Sequence, residues 1–244
     1  MKKSIFFIAI LILVINSVQA QNYIYKVSII RAAPDRLLDL IELLKQDITN
    51  YEKFGIEKPY ILRHFQGDQW DVLIFTPIES LEKYYSAKGL ESRVESIFYD
   101  KPYDNIIWDY ISYYEELFVN GPELTDVKEQ FEKYDFYHIE MFIALAGKRR
   151  ELLKEREMEN DYLVTLGFRP NLIFNKVAGG KWDNFSIGFY TDIKDFFTIE
   201  YVDPIEKERS ARSAGFEGTN SIGSYLRRFI NEHHDTLAVA VKPQ

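Results

Sequence analysis

His138-Ile139-Glu140 is the stretch best suited to acid–base chemistry. Residues two apart on a β-strand share a face, and a carboxylate beside an imidazole holds it near working pH as a base or acid. Lys26 and Ser28 occupy the corresponding places in an earlier strand. Trp70, Trp182 and Asn184 complete a set suited to orienting a small polar ligand among aromatic rings. Arg63 joins that set if its strand turns that way; the alternation equally allows His64 and Lys176 inward in place of Arg63 and Asn175. As a metal pair, His138 and Glu140 lack a third ligand at a usual spacing, so no metal is expected. His233-His234-Asp235 reads as the end of a helix, where adjacent side chains diverge by about 100° and chelate poorly. There the histidines would complement the helix C-terminus. Gly179-Gly180 is a hairpin turn rather than a phosphate-binding loop, and Ser221-Ile222-Gly223 lacks the surroundings of a nucleophile elbow.

The elements that must position these groups come in two copies. Gly67-Asp68-Gln69-Trp70-Asp71 recurs as Gly179-Gly180-Lys181-Trp182-Asp183. The same offset, without a gap, sets Tyr25 on Tyr137, Leu40 on Leu152, Gly55 on Gly167 and Ile61 on Ile173. A repeat in fixed register is one structural unit used twice. In the first copy Tyr23 to Arg31 alternates as a strand. A helix opened by Pro34-Asp35 buries Leu37, Leu40, Ile41 and Leu44. Strands Tyr60 to Gln66 and Trp70 to Thr76 flank the Gly67 turn, Pro77 stops the second of them, and Ser80 caps a helix. Ile107, Tyr110, Ile111 and Tyr114 mark another helical face before a strand at Leu117 to Val119. That order, β-α-β-β-α-β, is the ferredoxin-like unit.

The second copy repeats the order with a helix at Lys148 to Leu163 and a last helix through Ile230, then a strand from Leu237 to Val241. The closing strands align only after nine further residues, which fall in a weakly apolar loop between Asp203 and Ser221. The expected division is residues 21–122 for the first unit, 123–134 for a helical connector and 135–244 for the second unit.

A ferredoxin-like sheet carries helices on one face and leaves the other needing a partner. This order, the tandem copy and the aromatic hairpins resemble the dimeric α+β barrel superfamily. The resemblance implies an α+β fold in which two ferredoxin-like units pack sheet to sheet as an intramolecular barrel. It also implies a group whose members include cofactor-independent monooxygenases, haem-handling enzymes and dehydratases; the architecture selects none of them. The apolar sets Tyr25, Val27, Ile29 and Tyr137, Ile139, Met141 are expected to face the helices. Lys26, Ser28, Ile30 and His138, Glu140, Phe142, with Trp70, Thr76, Trp182, Asn184 and Ser186, are then expected to line a pocket inside the barrel. Such a protein would bind a small molecule there. As alternatives, it would be a monooxygenase or isomerase-like enzyme with His138 as its acid/base, or a structural protein whose barrel side chains fill. No cofactor is predicted: tandem barrels resembling chlorite dismutase take haem on a second-unit histidine, and Lys148 to Leu163 contains none.

Lys2 and Lys3, the apolar run Ile5 to Ile15 and Val18-Gln19-Ala20 form a secretory signal pattern over residues 1–20. The run is too short to span a bilayer, so export to the periplasm or beyond, without a membrane span after cleavage, is expected. With no cysteine, stability must come from core burial. Without Lys2 and Lys3, 28 of the 30 basic residues remain against 38 acidic ones, a net charge of −10. That balance argues against nucleic acid as a partner and is compatible with homo-oligomers.

Overall fold

A computed structural model describes residues 23–54, 56–98 and 107–242. The leader expected over residues 1–20 and Gly55 lie outside them. Among the described residues no helix is long and apolar enough to cross a membrane.

The first unit comprises β1 (Tyr23–Ala32), α1 (Leu37–Lys53), β2 (Tyr60–Gln66), β3 (Val72–Glu79), α2 (Leu81–Tyr85), α3 (Ala87–Phe98) and β4 (Ile111–Gly121). The connector is α4 (Leu124–Lys133). The second unit follows with β5 (Phe136–Ala144), α5 (Arg149–Thr165), β6 (Leu172–Gly179) and β7 (Asn184–Tyr190). It ends with α6 (Ile193–Phe196), α7 (Pro204–Ser213), α8 (Ile222–Leu226) and β8 (Ile230–Val241). All eight strands close into one antiparallel barrel in the order β1-β3-β2-β8-β5-β7-β6-β4. Each unit's four-stranded sheet thus joins the other's at both edges, β2 to β8 and β4 to β6, which removes every open edge.

The alternation sorts the side chains into the expected two sets, but the sets face the opposite way. Tyr25, Val27, Ile29, Leu73, Phe75, Tyr137, Ile139, Met141, Phe185 and Ile187 share one buried cluster that spans both units. Phe174 of β6 meets Phe75 of β3 at 4.6 Å and Tyr25 of β1 at 5.4 Å. Among the described residues the interior is therefore filled by its own side chains in place of the expected pocket. An eight-stranded barrel is just wide enough for its own side chains, so the most apolar face turns inward. Ile30, Ile61 and Val72 pack instead with α1, and Phe142 with Leu152 of α5. Lys26, Ser28, His138, Glu140, Asn184 and Ser186 consequently lie between sheet and helices. In β2, Leu62 belongs to the interior cluster and Arg63 is exposed, so His64 takes the barrel side, its ring 5.6 Å from Trp70.

Both barrel ends are plugged. The connector α4 inserts Val127 and Phe131 at one end; Phe131 stacks on Tyr60 at 4.1 Å and meets Phe189 at 5.0 Å. The Tyr25 and Tyr137 hydroxyls donate to the carbonyls of Pro122 and Tyr134 on either side of α4, each at 2.8 Å. Trp70 and Trp182 join the interior from the other end.

The repeated pentapeptide now has a physical reading. Its tryptophan plugs the barrel, and its aspartate accepts the N–H that ends the first strand: Asp71 Oδ2 from Ala32 at 2.8 Å, Asp183 Oδ2 from Ala144 at 3.0 Å. Its glycine has positive φ and lies against the other unit. A Cβ on Gly67 (φ 124°) would sit 2.2 Å from the Asp235 carbonyl oxygen, and one on Gly179 (φ 79°) 2.6 Å from that of Glu116. Gly67→Ala is expected to destabilise by about 1–3 kcal/mol or more, since strain and a backbone clash add. Urea unfolding measures it, and a midpoint equal to that of the parent would contradict this reading.

Four further expectations are corrected. Pro77 does not stop β3, which runs to Glu79; the proline pairs with Tyr25 at a bulge, where a missing N–H is tolerated. The stretch from Asp203 to Ser221 is not a plain loop but carries α7, whose Ala211, with Phe216 beyond it, packs on Tyr162 of α5. The helical faces expected near Ile107 to Tyr114 and Ile222 to Ile230 end early: β4 begins at Ile111 and β8 at Ile230. Lys26 pairs with Phe118 and His138 with Leu237, so Glu116 corresponds to Asp235 and the insertion is seven residues rather than nine.

Candidate functional site

On β5, His138 and Glu140 project from the outer sheet face toward α5. On β8, directly alongside, Asp235 pairs with Glu140 and His233 with Phe142. His233 and Asp235 therefore sit on a strand two residues apart and share this face; the helix-end reading of them is wrong. His138 Nε2 lies 3.1 Å from Asp235 Oδ1. His233 Nε2 lies 3.3 Å from the same oxygen and 3.5 Å from Glu140 Oε1. The His233 ring stacks on Phe142 at 4.5 Å.

From α5, Arg156 reaches down onto this group with its side chain 2% exposed. Its Nη1 is 3.2 Å from both Glu140 oxygens, its Nη2 is 2.6 Å from Glu155 and 2.5 Å from Glu159. Its guanidinium also lies over the Phe142 ring at 4.6 Å. One arginine faces three glutamates, and Glu155 Oε1 has no hydrogen-bond partner. The excess negative charge is met by protons. Burial pushes Glu155 up and Glu159 up to about 7, more than Arg156 pulls them down. Burial alone would depress His138 and His233, but Asp235 and Glu140 outweigh it, raising His138 and carrying His233 to about 9. Glu140 is lowered, because Arg156 and then His233 overcome the burial that would raise it.

Glu140, His233 and Asp235 bring ligand atoms within 4.8 Å of one another, which is close enough to consider a cation. Arg156 Nη1, however, already lies against both Glu140 oxygens, so a divalent ion would meet a guanidinium there. The cluster is arranged for protons.

These shifts fix a pH dependence of stability. Glu159 and His233 both have folded values above their ordinary ones, so each contributes stability that is complete at low pH and lost as pH rises through the folded value. For Glu159 the loss runs from about 4.5 to about 7, and for His233 from about 6.5 to about 9. Thermal midpoints are expected to fall across pH 7–9, and His233→Gln to flatten that limb. An unchanged slope in the variant would contradict the assignment.

Beside the cluster is a cavity of about 140 Å³ lined by His138, Glu140, Glu159, Arg169, Tyr190 and Phe196, among others. Phe168, Phe189, Tyr190 and Phe196 supply aromatic walls, Glu159 is pushed up to about 7 by burial, and His138 is raised by Asp235 and Glu140. Arg169 is held at the rim by the Phe189 carbonyl at 3.1 Å and by Asp195 at 2.8 Å.

The residues singled out in the sequence are thus dispersed. His138 and Glu140 meet in this site. Lys26 and Ser28 meet in the corresponding layer of the first unit. Trp70 and Trp182 plug the barrel end, Asn184 donates to Asn175 Oδ1 at 2.9 Å, and Arg63 is exposed. Arg156, Glu159, His233 and Asp235 were missed. One signal could have found two positions: the apolar Leu43 and Leu44 of the first copy become Glu155 and Arg156 in the second.

No protein-family profile and no curated protein sequence matches this chain. Solved structures do. An anthrone oxidase-like protein is 11% identical with a TM-score of 0.61, over 91% of this chain and 92% of that one. A protein provisionally assigned as a chlorite dismutase is 10% identical with a TM-score of 0.50, over 91% and 96%. A provisionally assigned monooxygenase from Lactobacillus acidophilus is 7% identical with a TM-score of 0.47, over 91% and 95%. With the first two of these proteins the chain shares its fold, two ferredoxin-like units closed into one α+β barrel. The pocket does not fit a haem: His138 Nε2 is engaged by Asp235, α5 carries no histidine, and the cavity is below the roughly 300–1,000 Å³ of sites for drug-sized ligands.

Proposed function

We propose that this is an exported protein that binds a small planar molecule between the sheet and α5 of its second unit, in a pocket equipped for proton transfer. The observation that carries the reading is the presence of His138 and Glu159 on one small aromatic-walled cavity. His138, with Nε2 tied to Asp235, is oriented and basic; Glu159, pushed up to about 7, exchanges protons near neutrality. Such a pair suits removal of a proton from a carbon conjugated with a carbonyl, the opening step of isomerisation or of cofactor-independent oxidation of an enolisable aromatic.

The leader pattern supports export. The anthrone oxidase-like neighbour suggests anthrone, an enolisable aromatic ketone, as a first probe. Deuterium exchange at its methylene, followed by NMR, is expected to be accelerated by the protein with saturation in anthrone. Saturable binding without accelerated exchange would leave a binding protein and remove the proton-transfer role; no binding at all would remove the reading.

A further inference from the structure

The first unit carries a cavity in the same layer, between the outer face of its sheet and α1, of about 160 Å³. Its chemistry differs at most equivalent positions, although Asp47 stands where Glu159 does. Lys26 stands where His138 does, Ser28 where Glu140 does, and Leu44 where Arg156 does. On the closing strand, Glu116 and Tyr114 stand where Asp235 and His233 do. One pairing is also kept: the cation on the first strand meets the carboxylate on the last, Lys26 Nζ to Glu116 Oε2 at 3.2 Å, as His138 meets Asp235.

We propose that this first-unit cavity is a second, separate binding site, for a neutral planar aromatic molecule carrying a carbonyl or hydroxyl oxygen. The walls supply the apolar part: Ile30, Leu44, Ile61 and Ile74 form a flat aliphatic floor, and Trp108, half exposed, meets Tyr114 edge-on at 5.3 Å. The polar end is built to donate. Tyr114 Oη gives its proton to Glu116 Oε2 at 2.6 Å and so faces Ser28 Oγ, 3.1 Å away, as an acceptor. Lys26, its side chain 20% exposed, places one hydrogen on Glu116 and lies 5.8 Å from the Tyr84 ring centroid. An ammonium has three hydrogens, so Lys26 can still serve a ligand oxygen.

Charge sets the selectivity. Glu116 already balances Lys26, so the polar end presents an anion with no net positive charge. The site binds without proton chemistry: its lining has no imidazole, Lys26 is held protonated, and burial pushes Tyr114 up to about 12.

Coumarin, neutral and planar with a carbonyl acceptor, is the probe, and 2-naphthoate its charged counterpart. Trp70 and Trp182 are 4% and 3% exposed against 52% for Trp108, so Trp108 fluorescence reports on this cavity. Coumarin is expected to quench it saturably and 2-naphthoate to bind at least about tenfold more weakly. Lys26→Met should weaken coumarin about tenfold, the equivalent of one charge-assisted hydrogen bond. His138→Gln should leave that titration unchanged while abolishing exchange on anthrone, which separates the two sites. If Lys26→Met does not fold, Ile74→Phe, which fills part of the same cavity without removing a charge, is expected to weaken binding similarly. Absence of saturable quenching, tighter binding of 2-naphthoate, or unchanged affinity in the folded variant would each overturn the proposal.

Discussion

Replacing Arg156 by leucine is expected to cost about 3–5 kcal/mol of folding stability at neutral pH, the loss seen when one partner of a buried ion pair is removed. Leucine restores the first unit's residue at this position, Leu44, so packing volume is not the difficulty. The difficulty is charge: Glu140 and Glu155, both buried, would lose the only guanidinium within reach among the described residues. The loss should shrink as pH is lowered toward 5 and the stranded carboxylates take up protons. Glu155→Gln should behave oppositely. Glu155 is raised by burial, so its ionised form is the one the fold tolerates least, and removing that charge should be neutral or stabilising at pH 8. Urea unfolding of both variants at pH 5 and pH 8 decides it. Equal losses in the two variants would show that the cluster is not held by the balance described above.

The second large effect concerns chemistry. His138→Gln is expected to lower the protein's acceleration of deuterium exchange in anthrone by about 10²–10⁴-fold, the usual contribution of a positioned acid–base group, with anthrone affinity retained. Glutamine keeps a hydrogen-bonding head that can still reach Asp235, so stability should change by less than about 1 kcal/mol. Asp235→Asn should act through the imidazole: without the carboxylate that outweighs burial, the His138 midpoint falls, and the pH profile of exchange moves with it while the affinity for anthrone does not. A profile that stays in place would make Asp235 structural only.

Much of the fold was legible because the repeat stands in fixed register and three positions of its pentapeptide are tightly constrained. A glycine against the neighbouring strand, a tryptophan in the barrel end and an aspartate on the last N–H of the first strand each have one acceptable residue type. Strand alternation likewise sorted Lys26 and His138 onto one face and Tyr25 and Tyr137 onto the other. Which face turned inward was misjudged, because a cavity was placed where an eight-stranded barrel has room only for side chains.

The site was less legible for two physical reasons. Tyr110, Ile111 and Tyr114, like Tyr225, Phe229 and Ile230, fall at helical spacing, yet the pairing of β4 with β1 and of β8 with β5 carries the strands back to Ile111 and Ile230. His233 and Asp235 were thereby assigned to a helix end. The helix α5 hides its core-facing charges in a sequence crowded with charge, so Arg156 and Glu159 look like solvated positions. Only comparison with the apolar first copy sets Glu155 and Arg156 apart.

The most direct test of where the site lies is to add anthrone to protein labelled at histidine rings and isoleucine methyls and follow the shifts by NMR. The resonances of His138, on the outer sheet face, and Ile199, in the 3-10 turn Phe197–Tyr201 across the same cavity, are expected to move together with one affinity. Movement of Ile139 and Ile187, inside the barrel, with His138 unmoved would place the ligand in the interior and contradict the assignment.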